Sequence, residues 1–518
     1  MDDGDNKMKE RLSRREFLTK LGSIYIAGCG LSNGLSANQL QAQELKYKLL
    51  PWQGDNYILG HQMRDGQIPL GKIESRKNFD FVIIGGGISG LTSAYNLRNS
   101  NYLLLEQYAD LGGQARGGNY NGIGYTLGSA YLSSIDGELG KLLDELKLKP
   151  VQIKDQTNSW YYDGKFEFIS KATGLNQNDL SKNFNNFFSE AKLIWNKNNL
   201  DNVSKINTDN NLSKLDDTLF ASCVKDFNPR FLEYIDNYLM SSLCGGINKV
   251  SAFAAYSTLS ELVTPTYVLP GQNPTLAKTL AQKIDQKNTI VKNAFVWSVE
   301  MNKDGAKLYY SDNIGLMHEV ICKHLILTTI PMVASRLVSN IPDDIKANLM
   351  SFKNGSYLVA NLCLSKQVFN KSYDNWMPSQ YEFRDFTIAE TPYEILNTYE
   401  AKMGSVMTVY KPFENGAIGR SMLLSGDRFA LISAIIANLQ NIFGNSFEDN
   451  IEQVVLSRFG HAMAIAVPGY LKKISKINQY NIDSLSFAHC SLGGLPCVQS
   501  AVIAANNACN RALRRKVG

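Results

Sequence analysis

Four apolar residues running straight into a cluster of glycines constrain this chain more than any other feature. Phe81-Val82-Ile83-Ile84 is a short continuous apolar run, the pattern of a strand buried on both faces. Gly85-Gly86-Gly87-Ile88-Ser89-Gly90 follows at once, and Ile88, Leu91, Tyr95 and Leu97 then fall roughly on one face of a predicted helix. Each glycine of a strand–GxGxxG–helix passage has a physical task. Gly85 permits the tight turn, Gly87 lets backbone approach a pyrophosphate, and Gly90 lets the helix pack close to the strand. The first helical N–H groups, at Ile88 and Ser89, then have no partner within the helix and face a phosphate at the positive end of its dipole. A second apolar run, Tyr102-Leu103-Leu104-Leu105, ends at Glu106. A carboxylate about twenty residues past the first glycine can accept hydrogen bonds from both ribose hydroxyls of an adenosine. Together these features predict an adenine dinucleotide site.

Composition narrows the class further. With 518 residues, 44% of them hydrophobic, the chain can bury the cores of two or three domains. Its formal charge of +5 is spread thinly, with no dense basic stripe outside the two ends and no zinc-finger or RNP-like spacing, so no nucleic-acid partner is expected. Cys29, Cys223, Cys244, Cys322, Cys363, Cys490, Cys497 and Cys509 form no CxxC pattern and read as buried small hydrophobes. His61, His318, His324, His461 and His489 show no paired ligand spacing, so no metal site is expected.

The glycines continue beyond Glu106. Ala109-Asp110-Leu111-Gly112-Gly113-Gln114-Ala115-Arg116 is followed by Gly122-Ile123-Gly124-Tyr125-Thr126-Leu127-Gly128-Ser129. Near the far end, the short strand Ser486-Phe487-Ala488-His489 precedes Gly493-Gly494-Leu495-Pro496-Cys497-Val498-Gln499-Ser500-Ala501-Val502 and an alanine-rich helix. In this order the segments resemble those of the flavin amine oxidase superfamily. The leader Trp52–Tyr57 and Gly60–Gly66, together with Arg458–Tyr470, looks like that of twin-arginine-exported flavoproteins of the spermidine dehydrogenase type.

The resemblance implies FAD as cofactor. Gly85, Gly87, Ile88, Ser89, Gly90 and Glu106 would hold its adenosine pyrophosphate. Gly112, Gly113, Gln114 and Arg116 form the second motif, with Arg116 as the basic group and Gln114 where many relatives carry arginine. Thr126, Leu127 and Gly128 would bring backbone to the flavin. Val296 would lie against the adenine, plain core being its other reading. Val498 and Gln499 would offer N–H groups to the flavin pyrimidine from a helix start, where partial positive charge favours the anionic reduced ring. The chain departs from the family at His489-Cys490-Ser491, where relatives carry Gly then Asp or Glu. It departs again at Gly355-Ser356-Tyr357-Leu358-Val359, which lacks the lysine that the Gly-Ser-x-x-Lys motif places near flavin N5.

The expected fold class is α/β, a discontinuous Rossmann-like FAD-binding domain with a second, mixed α+β substrate domain. The nucleotide-binding parts are 78–132, 268–340 and 456–518. The substrate domain takes 133–267, mostly helical, and 341–455, and a leader covers 44–77. Residues 1–43 read as a targeting segment: Ser13-Arg14-Arg15-Glu16-Phe17-Leu18 and the short apolar run to Gly30 resemble a twin-arginine signal. Ile26-Ala27-Gly28-Cys29 also resembles a lipobox, which would put a lipid anchor on Cys29, an ordinary small-residue region being the alternative. The run is too short to span a bilayer, so the expected location is periplasmic, reached through the twin-arginine machinery, with no transmembrane span.

The expected reaction is oxidation of a polyamine-like amine by hydride transfer from its α-carbon to flavin N5, with the electron acceptor, oxygen or another, left open. His461 and His489, lying in stretches expected near the flavin, are candidate general bases, since imidazole titrates near neutrality. Two other readings stay open: a desaturase or isomerase acting on an apolar substrate, and a non-catalytic exported flavoprotein.

Overall fold

The computed structural model describes residues 45–514 apart from 70, 133–134, 154–157, 169–184, 194–202, 204, 285–288, 414 and 481–483. The twin-arginine segment and Cys29 lie outside the described residues.

Two sheets organise the chain. In the first, Ile290–Val291, Tyr102–Leu105, Ile73–Ile84 and Met317–Leu327 lie side by side and parallel, and Leu485–Phe487 adds, also parallel, to the far half of Met317–Leu327. Alternation sorts the side chains between two cores. Val82, Ile84, Leu103 and Leu105 join the large core shared with the second sheet. Phe81, Ile83, Tyr102 and Leu104 face a separate core with the helices Ile88–Asn96, Asn273–Ile284 and Val498–Arg514. Both faces are covered, which is why these strands read as unbroken apolar runs. Phe295–Asn302 and Gly305–Ser311 form an antiparallel meander that ends in Met317–Leu327, so one long strand serves both the meander and the parallel sheet.

The second sheet runs in the order Lys48–Leu49, Ile451–Ala464, Asn354–Leu364, Ser405–Phe413, Asp385–Ile388, Asp374–Trp376, Asn158–Tyr162, Lys165–Phe168, with Gln53–Gly54 also paired to Ile451–Ala464. One face joins the large core through Tyr357, Val359, Trp376 and Tyr410. The other, carrying Leu358, Ala360 and Leu362, packs on Ile432, Ile435, Ile436 and Leu439 of the helix Arg428–Phe443.

Three expected boundaries shift. The first nucleotide strand begins at Ile73 rather than Phe81, because residues 73–79, assigned to the leader up to 77, pair with Met317–Cys322. Ile451–Ala464 runs antiparallel to Asn354–Leu364 in the second sheet, so the last nucleotide-binding part cannot begin at 456. Residues 133–267 carry strands as well as helices among the described residues. They supply Asn158–Tyr162 and Lys165–Phe168 to the second sheet, and Val151–Ile153 to a pairing with Thr266–Val268. Among the described residues no single helix is long and apolar enough to cross a membrane.

Candidate functional site

The glycine turn is built as tightly as its sequence demands. Gly85 has φ +107°, and a Cβ on Gly90 would stand 1.8 Å from the Gly85 carbonyl oxygen, so neither position tolerates a side chain. Gly87 is different in kind. A Cβ added there would meet nothing closer than the Gly113 Cα at 3.9 Å, which leaves an open cradle at the start of the helix Ile88–Asn96. Ser89 is buried, and its hydroxyl donates to the Ala501 carbonyl, tying this helix to Val498–Arg514.

Glu106 is buried at the end of Tyr102–Leu105. Its Oε2 accepts the Gly86 N–H and its Oε1 the Tyr108 N–H, so each oxygen keeps capacity for a further donor. Burial pushes this carboxyl above its ordinary range, opposed by those two N–H groups and by Arg116. The open side of Gly87, the free helix start and a two-oxygen acceptor beside the turn fit the adenosine pyrophosphate half of a dinucleotide.

The second motif wraps onto the first. Gly112 and Gly113 both have positive φ, the Gly112 N–H donates to the Gly86 carbonyl, and a Cβ on Gly113 would come within 3.0 Å of Gly87. Gln114 donates from Nε2 to the Ala462 carbonyl, reaching the second sheet. Arg116 donates to the Gly113 and Gly54 carbonyls at 2.9 and 2.8 Å and lies 4.3 Å above the Tyr108 ring. Thr126, Leu127 and Gly128 pack against this segment. The Leu127 N–H donates to the Arg116 carbonyl, and a Cβ on Gly128 would stand 2.3 Å from the Gln114 carbonyl.

The leader joins the same region. Asp55 is held by the Gly460 N–H at 2.8 Å, the Asn56 N–H donates to the Tyr108 hydroxyl, and Arg458 lies between the Trp52 and Tyr57 rings. Residues 52–57 thereby stitch the edge of the glycine site to Ile451–Ala464.

The structure places the remaining candidates as follows. Val498 and Gln499 are half-buried at the start of Val498–Arg514. Val296 is buried in the large core, opposite Tyr310. His489 caps the short helix Cys490–Gly493, its Nδ1 accepting the Ser491 N–H, and burial lowers it to about 4. His461 is likewise lowered to about 4, by burial first and then by Arg420, Arg336 and His61. Val359, where the family motif would carry lysine, faces the large core. Lys411, across from Leu358, lies on the opposite face and is bonded to Glu382.

The inner face of the second sheet holds what sequence reasoning missed. Val359, Tyr410, Asp385 and Trp376 stand opposite one another on successive strands, and Asp374 lies two residues before Trp376 on the same face. Asp374 and Asp385 are both buried. Burial first, and then the charge of Asp385, drives Asp374 well above the carboxylate range, and burial carries Asp385 to about 7. The Ser241 hydroxyl bonds Asp385 and the Tyr357 hydroxyl. It comes from the helix Pro229–Leu243, begun by the Asn228 side chain capping the Arg230 N–H and by proline at its first position. Tyr234, Tyr238 and Ser241, four and three residues apart, share that helix's sheet-facing side. Between helix and sheet lies a small cleft lined by Tyr131, Asn158, Tyr238, Glu261 and Asp374, among others. The signal available in sequence was an aspartate within each of two aromatic-rich strands, Tyr373-Asp374-Asn375-Trp376 and Asp385-Phe386-Thr387-Ile388.

This chamber touches the glycine site. Gln272 accepts the Thr126 N–H through Oε1 and lies against Tyr373, while Glu261 is near enough to Cys497 to add to burial in pushing that thiol up.

Fold and site together define a dinucleotide-binding α/β protein whose second domain, built on an antiparallel sheet, presents a buried acidic and aromatic face. Comparison agrees: residues 83–146 match the NAD(P)-binding Rossmann-like domain. The chain has the fold of the flavin amine oxidases. A double mutant of putrescine oxidase superimposes with a TM-score of 0.69 at 16% identity over 85% of this chain and 100% of that one. Cyclohexylamine oxidase from Brevibacterium oxydans IH-35A gives 0.66 at 14% identity over 85% and 99%. In sequence, protoporphyrinogen oxidase 2, chloroplastic/mitochondrial, of Arabidopsis thaliana is 32% identical over 92 residues, which is 17% of this chain and 18% of that protein. The match thus spans less than a fifth of that curated relative.

Proposed function

We propose that this protein is an FAD-dependent oxidoreductase that oxidises an amine of the polyamine kind, exported to the periplasm by the twin-arginine route that residues 13–30 resemble. The observation that carries the reading is the open cradle at Gly87 beside the two-oxygen acceptor of Glu106, set within a fold shared with putrescine and cyclohexylamine oxidases.

Bound FAD would supply the hydride acceptor. The glycine turn, Glu106 and the start of Ile88–Asn96 would hold its adenosine pyrophosphate, and Val498 and Gln499 its flavin end. The chain's own part is to bind the amine, hold its α-carbon toward the Val498 end and keep water out. Oxidation removes a hydride from the α-carbon and a proton from nitrogen, leaving an imine that water hydrolyses. His461 and His489, both neutral across the physiological range, stand ready only as uncharged groups, and the Nδ1 of His489 is already occupied by the Ser491 N–H.

The rival reading, desaturation of an apolar substrate, draws on the short match to protoporphyrinogen oxidase. The buried acids of the second sheet count against it, because an apolar substrate would offer no hydrogen-bond partner to the Asp374 Oδ1.

The test is spectral. Purified protein is expected to be yellow with bound FAD, and anaerobic addition of spermidine or putrescine from an amine panel should bleach the flavin. Flavin that no amine bleaches would remove the amine reading, and colourless protein that takes up no FAD would remove the cofactor.

A further inference from the structure

We propose that residues 52–57 are a clasp on the cofactor: FAD enters and leaves only when this segment has undocked, and Asp55 is the positioning residue that keeps it closed. The inference rests on the FAD reading above and adds to it the element that governs exchange of the cofactor.

One edge of the segment is bonded to the cradle. Tyr108 stands two residues beyond Glu106 and donates its N–H to Oε1 of that acid, while its hydroxyl accepts the Asn56 N–H at 3.0 Å. Gly113 closes on Gly87, and its carbonyl accepts Arg116 Nε, while Nη2 of the same guanidinium donates to the Gly54 carbonyl. The acid assigned to the ribose and the turn assigned to the pyrophosphate are thus each one side chain away from the leader. Arg116 lies over the Tyr108 ring, which ties the two links together.

The other edge is fixed to the second sheet. Gln53 and Gly54 pair in parallel with Ser457 and Arg458, and the Asp55 N–H donates to the Arg458 carbonyl at 2.7 Å. Gly54 has φ +87°, and a Cβ there would stand 2.2 Å from that same carbonyl oxygen, so only glycine lets the segment lie this close to the strand. Asp55 Oδ2 accepts the Gly460 N–H. Burial raises this carboxyl, opposed by that N–H and by Arg116 and Arg458, one guanidinium from each side of the seam. Gln114, next to Gly113, reaches the Ala462 carbonyl. Arg458, Gly460 and Ala462 therefore close one seam at three successive points along Ile451–Ala464, and the leader supplies two of them.

The segment is built to move. Lys48–Leu49 and Gln53–Gly54 are strands of two residues each, and the helix Ile58–Arg64 that follows has no buried residue. Upstream, Tyr47 is buried in the core beneath Arg428–Phe443 and fixes that end. An element held by a few bonds, with little core of its own, opens locally while the rest stays folded. The coupling is reciprocal, so bound FAD holds the segment closed by the factor by which the closed segment holds FAD.

The experiment uses the full chain loaded with FAD and reads cofactor release after dilution as the rise of free-flavin fluorescence. Asp55→Asn and Gly54→Ala are expected to release FAD about tenfold faster than wild type, with unchanged circular dichroism. Asp209→Ala, which removes the cap of the helix Asn210–Asp217 outside this seam, controls for general loss of stability and should release at the wild-type rate. Gln53→Cys combined with Ser457→Cys places two thiols on paired positions of neighbouring strands, about 4.8 Å apart and within reach of a disulfide. The oxidised form should release FAD about tenfold more slowly than the same protein reduced, and amide exchange at Asp55 and Asn56 should slow when FAD binds. Unchanged release from folded Asp55→Asn and Gly54→Ala, equal release from the oxidised and reduced forms of the double variant, or equally fast release from Asp209→Ala overturns the clasp. Where the single variants fail to fold, the cross-linked pair decides. Protein that takes up no FAD in any form refutes the cofactor reading and the clasp with it, a result distinct from normal uptake with unchanged release.

Discussion

Asp385→Asn should change how stability depends on pH, and the structure gives both the sign and the size. Burial raises this carboxyl from 3.8 to about 7 in the folded protein, against the pull of Ser241, Arg384 and Asp374. At about 1.36 kcal/mol per pH unit, that difference is worth about 4 kcal/mol. Because the folded value lies above the unfolded one, the native state holds the proton more tightly than the unfolded chain. The contribution is therefore fully present below about pH 4 and disappears as pH rises through about 7. Asp374 is raised in the same direction by burial and by Asp385. Ligand-free wild type should thus lose stability between about pH 4 and about pH 7 relative to Asp385→Asn, by up to about 4 kcal/mol. Asparagine carries no charge to bury and relieves Asp374 of its neighbour. Glu390, raised to about 7, and Asp216, raised to about 6, titrate in the same range in both proteins, so the difference between them is the quantity to measure. Urea unfolding of apo protein across that range reads it directly. A difference that stays flat would mean that the acid pair is solvated or already paired with a cation, and the reasoning from burial would fail.

Other consequences can be checked more simply. Gly90→Ala should abolish FAD uptake or folding, since its Cβ would lie 1.8 Å from a carbonyl oxygen, and soluble protein with normal flavin content would refute the turn geometry. Glu106→Gln should speed FAD release about tenfold, by weakening a charged acceptor that already serves two N–H groups, whereas an unchanged release rate would show that Glu106 does not reach the cofactor. His489→Ala should cost about 1 kcal/mol of stability through the lost cap, with no change in the shape of the pH–rate profile between about 6 and about 8, because this imidazole is held neutral there. A vanished inflection in that range would instead make His489 a titrating base.

The nucleotide half of the fold was legible because its constraints are local. Buried parallel strands show as unbroken apolar runs, the turn needs glycine at Gly85 and Gly90 for reasons that no other residue can meet, and Glu106 stands at the end of its strand. The second sheet was not legible, because its strands come from four distant stretches, and nothing near Asp374 in sequence announces that Asp385 and Tyr410 share its face of the sheet. Gly460 and His461 looked like part of the nucleotide domain by similarity of sequence, yet the ladder with Asn354–Leu364 assigns their strand to the other sheet. The histidines attracted attention by their chemistry. Their surroundings, a helix cap for one and burial beside Arg420 and Arg336 for the other, become visible only once the chain is folded.

The stitching of the leader has a consequence for how the molecule comes into being. The bond from Asp55 to Gly460 spans 405 residues and that from Ser89 to Ala501 spans 412. A ribosome that has made both glycine motifs has still made no cleft, since the strand that the leader docks on, Ile451–Ala464, and the last parallel strand, Leu485–Phe487, are synthesised long after them. Contacts this remote form late and slowly, so the parallel sheet cannot be completed until residue 487 has joined Met317–Leu327.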